Sequence, residues 1–346
     1  MNFEPYYFPA VFAFLLAFVL IVLAIKLFPK WKLVDRPHKY NLFRKPIPYY
    51  GGVVIFLAFI VSVLVFVPLS KTVVGLLIGM TIVCSLGFLD DYFDLSPWIR
   101  LLVQFVASAV LVGFGIGILS INLPFIGEID FTGIIAYGVP VLGAIFTIIW
   151  VMVILNTMNF IDGVSGLSSG VGFLASLTVF FLSINPMIHE NPESQGAVAM
   201  IALLLAMVCL AFLIFDFPKP KILMGDSGST FLGFSIATLA IFSGGKVATA
   251  FLVLGIPILD MIWVILRRIF SGQKFWKGDL KHLHHRLLDL GISEKKVVVF
   301  YLVVTAVLGA LAVSFVSSQQ KFFMLIALII LMTLLASAIV FIPRKD

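Results

Sequence analysis

The chain has 346 residues, of which 62% are hydrophobic and only 12% charged, with a mean hydropathy of +1.17 and a net charge of +6. This composition excludes a water-soluble globular domain, where apolar residues make up about half of the chain and charged ones about a quarter. It also excludes a disulfide scaffold, because the two cysteines, Cys84 and Cys209, both fall inside apolar runs.

Runs of near-bilayer length follow one another at 6–27, 51–69, 72–89, 101–119, 133–155, 165–184, 197–215, 229–243, 247–266, 297–316 and 322–341. These eleven runs predict an all-α, polytopic integral membrane protein, with 1–346 as one catalytic domain and no internal repeat. The run at 6–27 has no basic segment before it and no small-residue cleavage site after it, so it reads as a retained span. The run at 229–243 is short, and its helix is expected to begin nearer Asp226.

Of the 23 Lys and Arg residues, all but Lys71, Lys246 and Lys321 fall on one side of these runs. By the positive-inside rule that side is cytoplasmic, which puts the N-terminus outside and the C-terminus inside. The outer segments are a small extended turn at 120–132 and a polar connection at 185–196. The inner loops, 28–50, 90–100, 156–164, 216–228 and 267–296, hold every concentrated group of acids, amides, histidines and bases. One catalytic face assembled from several helix ends accounts for that distribution.

Loop 28–50 carries Asp35, Arg36, Lys39, Arg44 and Lys45 ahead of Pro46-Ile47-Pro48 and Gly51-Gly52; alone it is a basic juxtamembrane loop. The organising stretch is Gly87-Phe88-Leu89-Asp90-Asp91-Tyr92-Phe93-Asp94. Its acids follow an apolar helix, at the end where the helix dipole disfavours anions by up to about 1 kcal/mol. Capping the next helix does not require them, since Ser96-Pro97 supplies an N-cap and an N1 proline. Compensation by a hard divalent cation with a phosphate ligand is expected, and a solvated structural turn is the competing reading.

Asn156 and Asn159 share a face if the fifth helix continues another turn. Their amide oxygens suit a hard cation, and their NH2 groups suit phosphate or a base edge. Asp162-Gly163 reads equally as part of such a site or as an Asx-turn. Met224-Gly225-Asp226-Ser227-Gly228 opens the eighth helix toward the cytoplasm, where free N–H groups and a positive dipole make a phosphate seat. Asp226 is then either an N-cap or a Mg2+ ligand.

Asp260 is the one acid well inside a run, as a proton-relay group or the partner of a helix neighbour. Beyond Arg267, Arg268 and Lys274 come His282, His284 and His285, with Leu283, Leu287 and Leu290 at helical spacing. That spacing predicts a helix lying on the membrane surface. Cations beside acidic loops suit a pyrophosphate better than zinc, for which no cysteine or paired spacing is present; lipid headgroups are the alternative ligand.

In this order, the segments resemble the polyprenyl-phosphate N-acetylhexosamine-1-phosphate transferase family across nearly the whole chain. The resemblance rests on Lys45 through Gly52, Asp90-Asp91-x-x-Asp94, Ser96 through Gln104, Asn156-x-x-Asn159-x-x-Asp162-Gly163, Met224 through Gly228, and His282-x-His284-His285. Asp94 and the interrupted histidines resemble the branch that uses UDP-GlcNAc. The branch handling UDP-MurNAc-pentapeptide has Lys at the first position and three consecutive histidines at the second. Leu223 stands where that second branch has a phenylalanine assigned to uracil stacking.

The resemblance implies transfer of GlcNAc-1-phosphate from UDP-GlcNAc to undecaprenyl phosphate at the bacterial cytoplasmic membrane. UMP would leave, in the first membrane step of teichoic acid, O-antigen or enterobacterial common antigen synthesis. Mg2+, or Mn2+, would be bound by Asp226 with help from Asn159. Asp90 and Asp91 would hold or deprotonate the lipid phosphate, with Asp162 as the third catalytic acid. Lys45, Asp35, Asp94, Arg100, Asn156, Gly225, Arg268, His282, His284 and His285 would face substrate. Membrane lipids and a second copy in a homodimer complete the expected partners, and nucleic acid is not among them. The competing readings are the pentapeptide translocase and an ion-coupled transporter, whose polar groups belong near the bilayer midplane.

Overall fold

The computed structural model describes residues 3–37, 44–123, 125–136, 138–188, 195–243, 247–272, 282–315 and 317–341. Lys39, Lys246, Lys274, Lys277, Lys281, Arg344 and Lys345, counted above among the 23 basic residues, lie outside the described residues, as does half of the connection at 185–196.

The apolar runs are largely helical, and several helices begin where local chemistry satisfies their first N–H groups. The first four are α1 (Glu4–Leu27), α2 (Gly51–Phe66), α3 (Lys71–Phe93) and α4 (Pro97–Gly113). Ser70 Oγ accepts the Val73 N–H at the start of α3, and Ser96 Oγ accepts that of Ile99 at the start of α4. On the far side of α4 the chain pairs β1 (Ser120–Leu123) with β2 (Gly127–Asp130) and β3 (Ile135–Ala136) with β4 (Val139–Pro140), both antiparallel. Next come α5 (Val141–Ile161), α6 (Leu167–Ser183), α7 (Gly196–Asp216) and α8 (Gly225–Phe242). The last five are α9 (Val247–Val253), α10 (Gly255–Phe270), α11 (Leu283–Asp289), α12 (Glu294–Ser314) and α13 (Ser318–Phe341).

Among the described residues, five helices, α1, α3, α5, α7 and α12, are long and apolar enough to cross a membrane, and α9 with α10 form a pair bent by 83°. The outward face of α1 shows the pattern a lipid solvent permits. Phe8, Val11, Leu15 and Val19 are exposed, while Ala13, Ala17, Ile21 and Ala24 are buried. The chain is an all-α, multi-pass membrane protein.

At its centre lies α8, buried along nearly its whole length between α2, α3 and α5. Small side chains make this packing close. A Cβ at Gly233 would sit 2.6 Å from Leu155 Cα on α5, and one at Gly79 on α3 would sit 2.3 Å from the Phe234 ring. The hydroxyls of α8 would be unsatisfied in such surroundings, so they turn back on their own helix. Thr230 donates to Asp226 O at 2.6 Å, Ser235 to Phe231 O at 2.6 Å and Thr238 to Phe234 O at 2.8 Å.

Four local expectations change. The fifth helix begins at Val141, because β3 and β4 of the second hairpin occupy the start of the run; a short apolar run alone does not distinguish strand from helix. Helix α3 continues past Leu89 to Phe93, so Asp90 and Asp91 sit in its last turn. The ninth run breaks at Leu254-Gly255, just ahead of Pro257. Finally, Leu283 belongs to the buried core with Leu287 and Leu288 packed against it, so α11 is docked on protein, where a surface-lying helix was expected.

Candidate active site

Three helix ends converge on the first turn of α8, and glycines allow them to. A Cβ at Gly52 would lie 2.0 Å from Gly228 N, and one at Gly87 would lie 2.4 Å from Ser227 N. Backbone pairing locks the same junction: Gly51 N–H donates to Leu223 O at 2.9 Å and Gly52 N–H to Met224 O at 2.8 Å. The chain enters α8 through Gly225 at φ +75°, a conformation that glycine adopts without steric cost.

Asp91 reaches this turn from α3. Its Oδ1 accepts the Asp226 N–H at 3.0 Å and the Tyr49 hydroxyl at 2.9 Å, and its Oδ2 accepts the Ser227 N–H at 3.3 Å. The N-terminal amides expected to seat a phosphate are therefore held by a protein carboxylate. Burial, then the Asp91 charge, raises the Tyr49 phenol, which remains a protonated donor.

Asp90, buried beside it, accepts the Leu95 N–H at 2.8 Å and pairs with Arg100 at 3.0 Å. The same Arg100 nitrogen stands 3.8 Å from Asp226 Oδ2, so one guanidinium faces both carboxylates. On its other side Asp226 accepts from Asn159 Nδ2 at 2.9 Å, and Asn159 also donates to Ser229 Oγ at 3.0 Å. Two facing carboxylates with one arginine between them favour an added cation.

Beside this pair opens a cavity of about 330 Å³. Its walls include Tyr49, Asn159, Asp162, Asp216, Leu223, Gly225, Asp226, Arg268, His282 and His285. Asp162 accepts a hydrogen bond from Ser168 Oγ. Burial, and less strongly the nearby Asp216, Asp226 and Asp91, raise its carboxyl well above the usual carboxylate range. His284 is fully buried, ring against ring with His282 and His285, and burial followed by those two neighbours pushes it down to about 3. It is neutral, and it stands behind the cavity wall.

Other expected residues fall elsewhere. Asn156 donates to Gln104 Oε1 on α4 at 2.9 Å, so it and Asn159 engage different helices and only Asn159 lines the cavity. Asp35 braces its own loop, pairing with Arg44 at 2.5 Å and accepting the Ile47 N–H at 2.8 Å. Lys45 and Asp94 are exposed, and neither is among the residues lining the cavity. Tyr49 and Asp216 are site residues that sequence reasoning missed. Asp216 holds the start of α6, accepting from Gly166 N and Ser169 Oγ at 2.8 Å each. Nothing in the local pattern singles it out from an ordinary helix-end acid.

No group of three His, Cys, Asp or Glu side chains among the described residues forms a ready metal cage. Mg2+ does not need one, since it binds through one or two carboxylates together with phosphate oxygens and waters. Asp90 and Asp226 fit that requirement, with the Asn159 amide alongside.

The model of the family described as "Glycosyl transferase family 4" matches residues 73–244, from the start of α3 past the end of α8. The chain is 31% identical to the probable undecaprenyl-phosphate N-acetylglucosaminyl 1-phosphate transferase of Bacillus subtilis (strain 168), over 88% of this chain and 83% of that protein. It is 28% identical to the decaprenyl-phosphate N-acetylglucosaminephosphotransferase of Mycobacterium leprae (strain TN), over 90% and 84%. With the undecaprenyl-phosphate alpha-N-acetylglucosaminyl 1-phosphate transferase of Escherichia coli O157:H7 it shares 27% identity, over 87% and 81%. The carboxylate pair and the cavity beside it lie in a membrane protein that belongs to glycosyl transferase family 4.

Proposed function

We propose that this chain transfers GlcNAc-1-phosphate from UDP-GlcNAc to undecaprenyl phosphate, releasing UMP and leaving undecaprenyl-diphosphate-GlcNAc. The observation that carries the reading is the facing pair of Asp90 and Asp226, bridged by Arg100 beside a cavity that Asp226 lines, in a chain whose relatives are named for this transfer.

An oxygen of the lipid phosphate attacks the sugar-bearing phosphorus. The new P–O bond forms as the bond from that phosphorus to the UMP oxygen breaks, and UMP carries away the electron pair. A phosphate monoester with a second pKa near about 6 is already largely ionised at neutral pH, so little proton transfer is required. Positioning and charge neutralisation supply most of the acceleration. Arg268, His282 and His285 line the cavity, and the Arg268 guanidinium suits the diphosphate oxygens. Asp90 and Asp226, with Asn159, would hold Mg2+, which supplies positive charge against the phosphates. Asp91 keeps the first turn of α8 in place through its amides.

The charge asymmetry supports eleven spans with the site on the cytoplasmic face of a bacterial inner membrane, where the nucleotide sugar is available. The acids cluster at helix ends, which favours this reading over transport across the midplane. The test is donor choice by purified protein with undecaprenyl phosphate. UDP-GlcNAc is expected to be used, with UDP-glucose at least about 100-fold poorer in kcat/KM because buried partners of the acetamido group lose their bonds. Faster UMP release from UDP-MurNAc-pentapeptide would overturn the choice of donor.

A further inference from the structure

Asp260 lies on α10, where the sequence showed only an isolated acid in an apolar run. Its carboxylate is buried at 4% exposure, and both oxygens are used. Oδ2 stands 3.1 Å from His282 Nδ1, and Oδ1 accepts the Leu283 N–H at 2.8 Å. The two bonds differ in what they do. The second pins the chain at the start of α11. The first sets the imidazole, because a carboxylate has only acceptors and so requires the proton on Nδ1.

The rest of the ring is equally constrained. His282 is 6% exposed, packs on Phe160 with centroids 5.2 Å apart, and stacks on His284 at 5.7 Å with planes 5° apart. With Nδ1 turned to Asp260, Nε2 is the end of the ring directed away from it, and the ring lines the cavity. Two turns further along α10 stands Arg268, also buried and also on the cavity wall. One helix thus contributes a cation directly and a histidine through its anchor.

We propose that Asp260 is a positioning residue for the transfer: it fixes His282 in the Nδ1–H form, so that Nε2 is presented to the nucleotide sugar as an acceptor for one of its hydroxyl groups. The inference rests on the functional reading above. It extends the site by a residue that touches no substrate, two turns of helix from Arg268.

The test uses the full-length protein in detergent. Asp260→Asn keeps the size of the side chain but offers one acceptor where two are used. Either Leu283 loses its partner or the amide donates to Nδ1 and drives the proton to Nε2. Asp260→Asn should lower kcat about 100-fold while KM for UDP-GlcNAc stays within about threefold. His282→Gln should lose a similar factor, and the double variant should be no worse than the more impaired single variant, because the two residues act as one unit. Histidine 15N spectra should show the Nδ1–H form of His282 in the wild type, assigned by its loss in His282→Gln, and its disappearance in Asp260→Asn.

Multiplying losses in the double variant, a wild-type kcat in Asp260→Asn, or an Nε2–H form of His282 in the wild type would overturn the proposal. If Asp260→Asn does not fold, Asp260→Glu, which keeps both acceptors, should retain the Nδ1–H signal and partial activity. Failure of both variants to fold would reduce Asp260 to a structural residue and contradict the inference. Wild-type protein that releases no UMP from any UDP-sugar would instead refute the functional reading, and the 15N result would still stand or fall separately.

Discussion

Asp91 and Asp226, 135 residues apart, are joined by a hydrogen bond from the Asp226 backbone N–H to Asp91 Oδ1 at 3.0 Å. An acid at the unfavourable end of one helix dipole thereby meets the favourable end of another. This arrangement resolves in part the electrostatic problem that Asp90-Asp91 poses in the sequence. Protein amides and a phenol satisfy Asp91, whereas Asp90 and Asp226 face each other with Arg100.

Removing one contact at a time should separate these roles. Tyr49→Phe deletes one hydrogen bond to Asp91, and about 1 kcal/mol of stability should go with it. Asp91→Asn should cost more, because an NH2 group would then face an N–H of the α8 first turn. Thermal unfolding in detergent should show Asp91→Asn melting below Tyr49→Phe; the opposite order would mean that Asp91 does not hold α8.

The glycines at the junction make a steric prediction. In Gly87→Ala the new Cβ would lie 2.5 Å from the Asp226 carbonyl carbon, which is backbone and cannot swing away. A loss of about 1–3 kcal/mol, with at least tenfold lower UMP release, is expected from such overpacking. Gly113→Ala, where an added Cβ meets nothing within 4 Å, should behave as wild type. Equal behaviour of the two variants would contradict the close approach of α3 and α8.

Asp162 gives a pH dependence whose sign can be worked out. Burial raises its carboxyl in the folded protein, so the folded state holds the proton more tightly than the unfolded state does. Its stabilising contribution is present below the ordinary carboxylate value of about 4 and is lost as pH rises through the raised folded value. Asn mimics the protonated form and can still accept from Ser168. In EDTA, Asp162→Asn should therefore melt about 2 °C or more above wild type at pH 8, with the gap closing toward pH 4. A gap that widens on acidification would show the opposite sign.

Orientation follows from the lysine and arginine distribution. A cysteine at exposed Ser96 should react with an impermeant reagent only from the cytoplasmic side. One at exposed Glu128, in the first hairpin, should react only from outside. Labelling of Ser96→Cys in intact cells would invert the topology.

The helices were legible because a bilayer demands long apolar runs with every backbone group bonded internally, and the sequence shows those runs directly. The start of α8 near Asp226 was legible for a similar reason: the run at 229–243 is too short to span, so its helix had to begin earlier. What could not be read was pairing across the fold. Asn156 and Asn159 look equivalent at i, i+3, yet one meets Gln104 and the other Asp226, according to which helix happens to pack there. Tyr49 looked like loop, and Asp260 like a span acid, because their partners, Asp91 and His282, come from distant segments. The start of α8 looked like an open phosphate seat for the same reason.

The central claim is transfer at the Asp90–Asp226 pair, and release of UMP measures it. Purified wild-type protein should release UMP from UDP-GlcNAc only when undecaprenyl phosphate and Mg2+ are both present, and EDTA should abolish the signal. Asp226→Asn, which keeps an acceptor for Asn159 but halves the facing charge, should fall at least about 100-fold while eluting as the wild type does. Full activity of Asp226→Asn at ordinary Mg2+, or UMP release that ignores the lipid phosphate, would contradict the account.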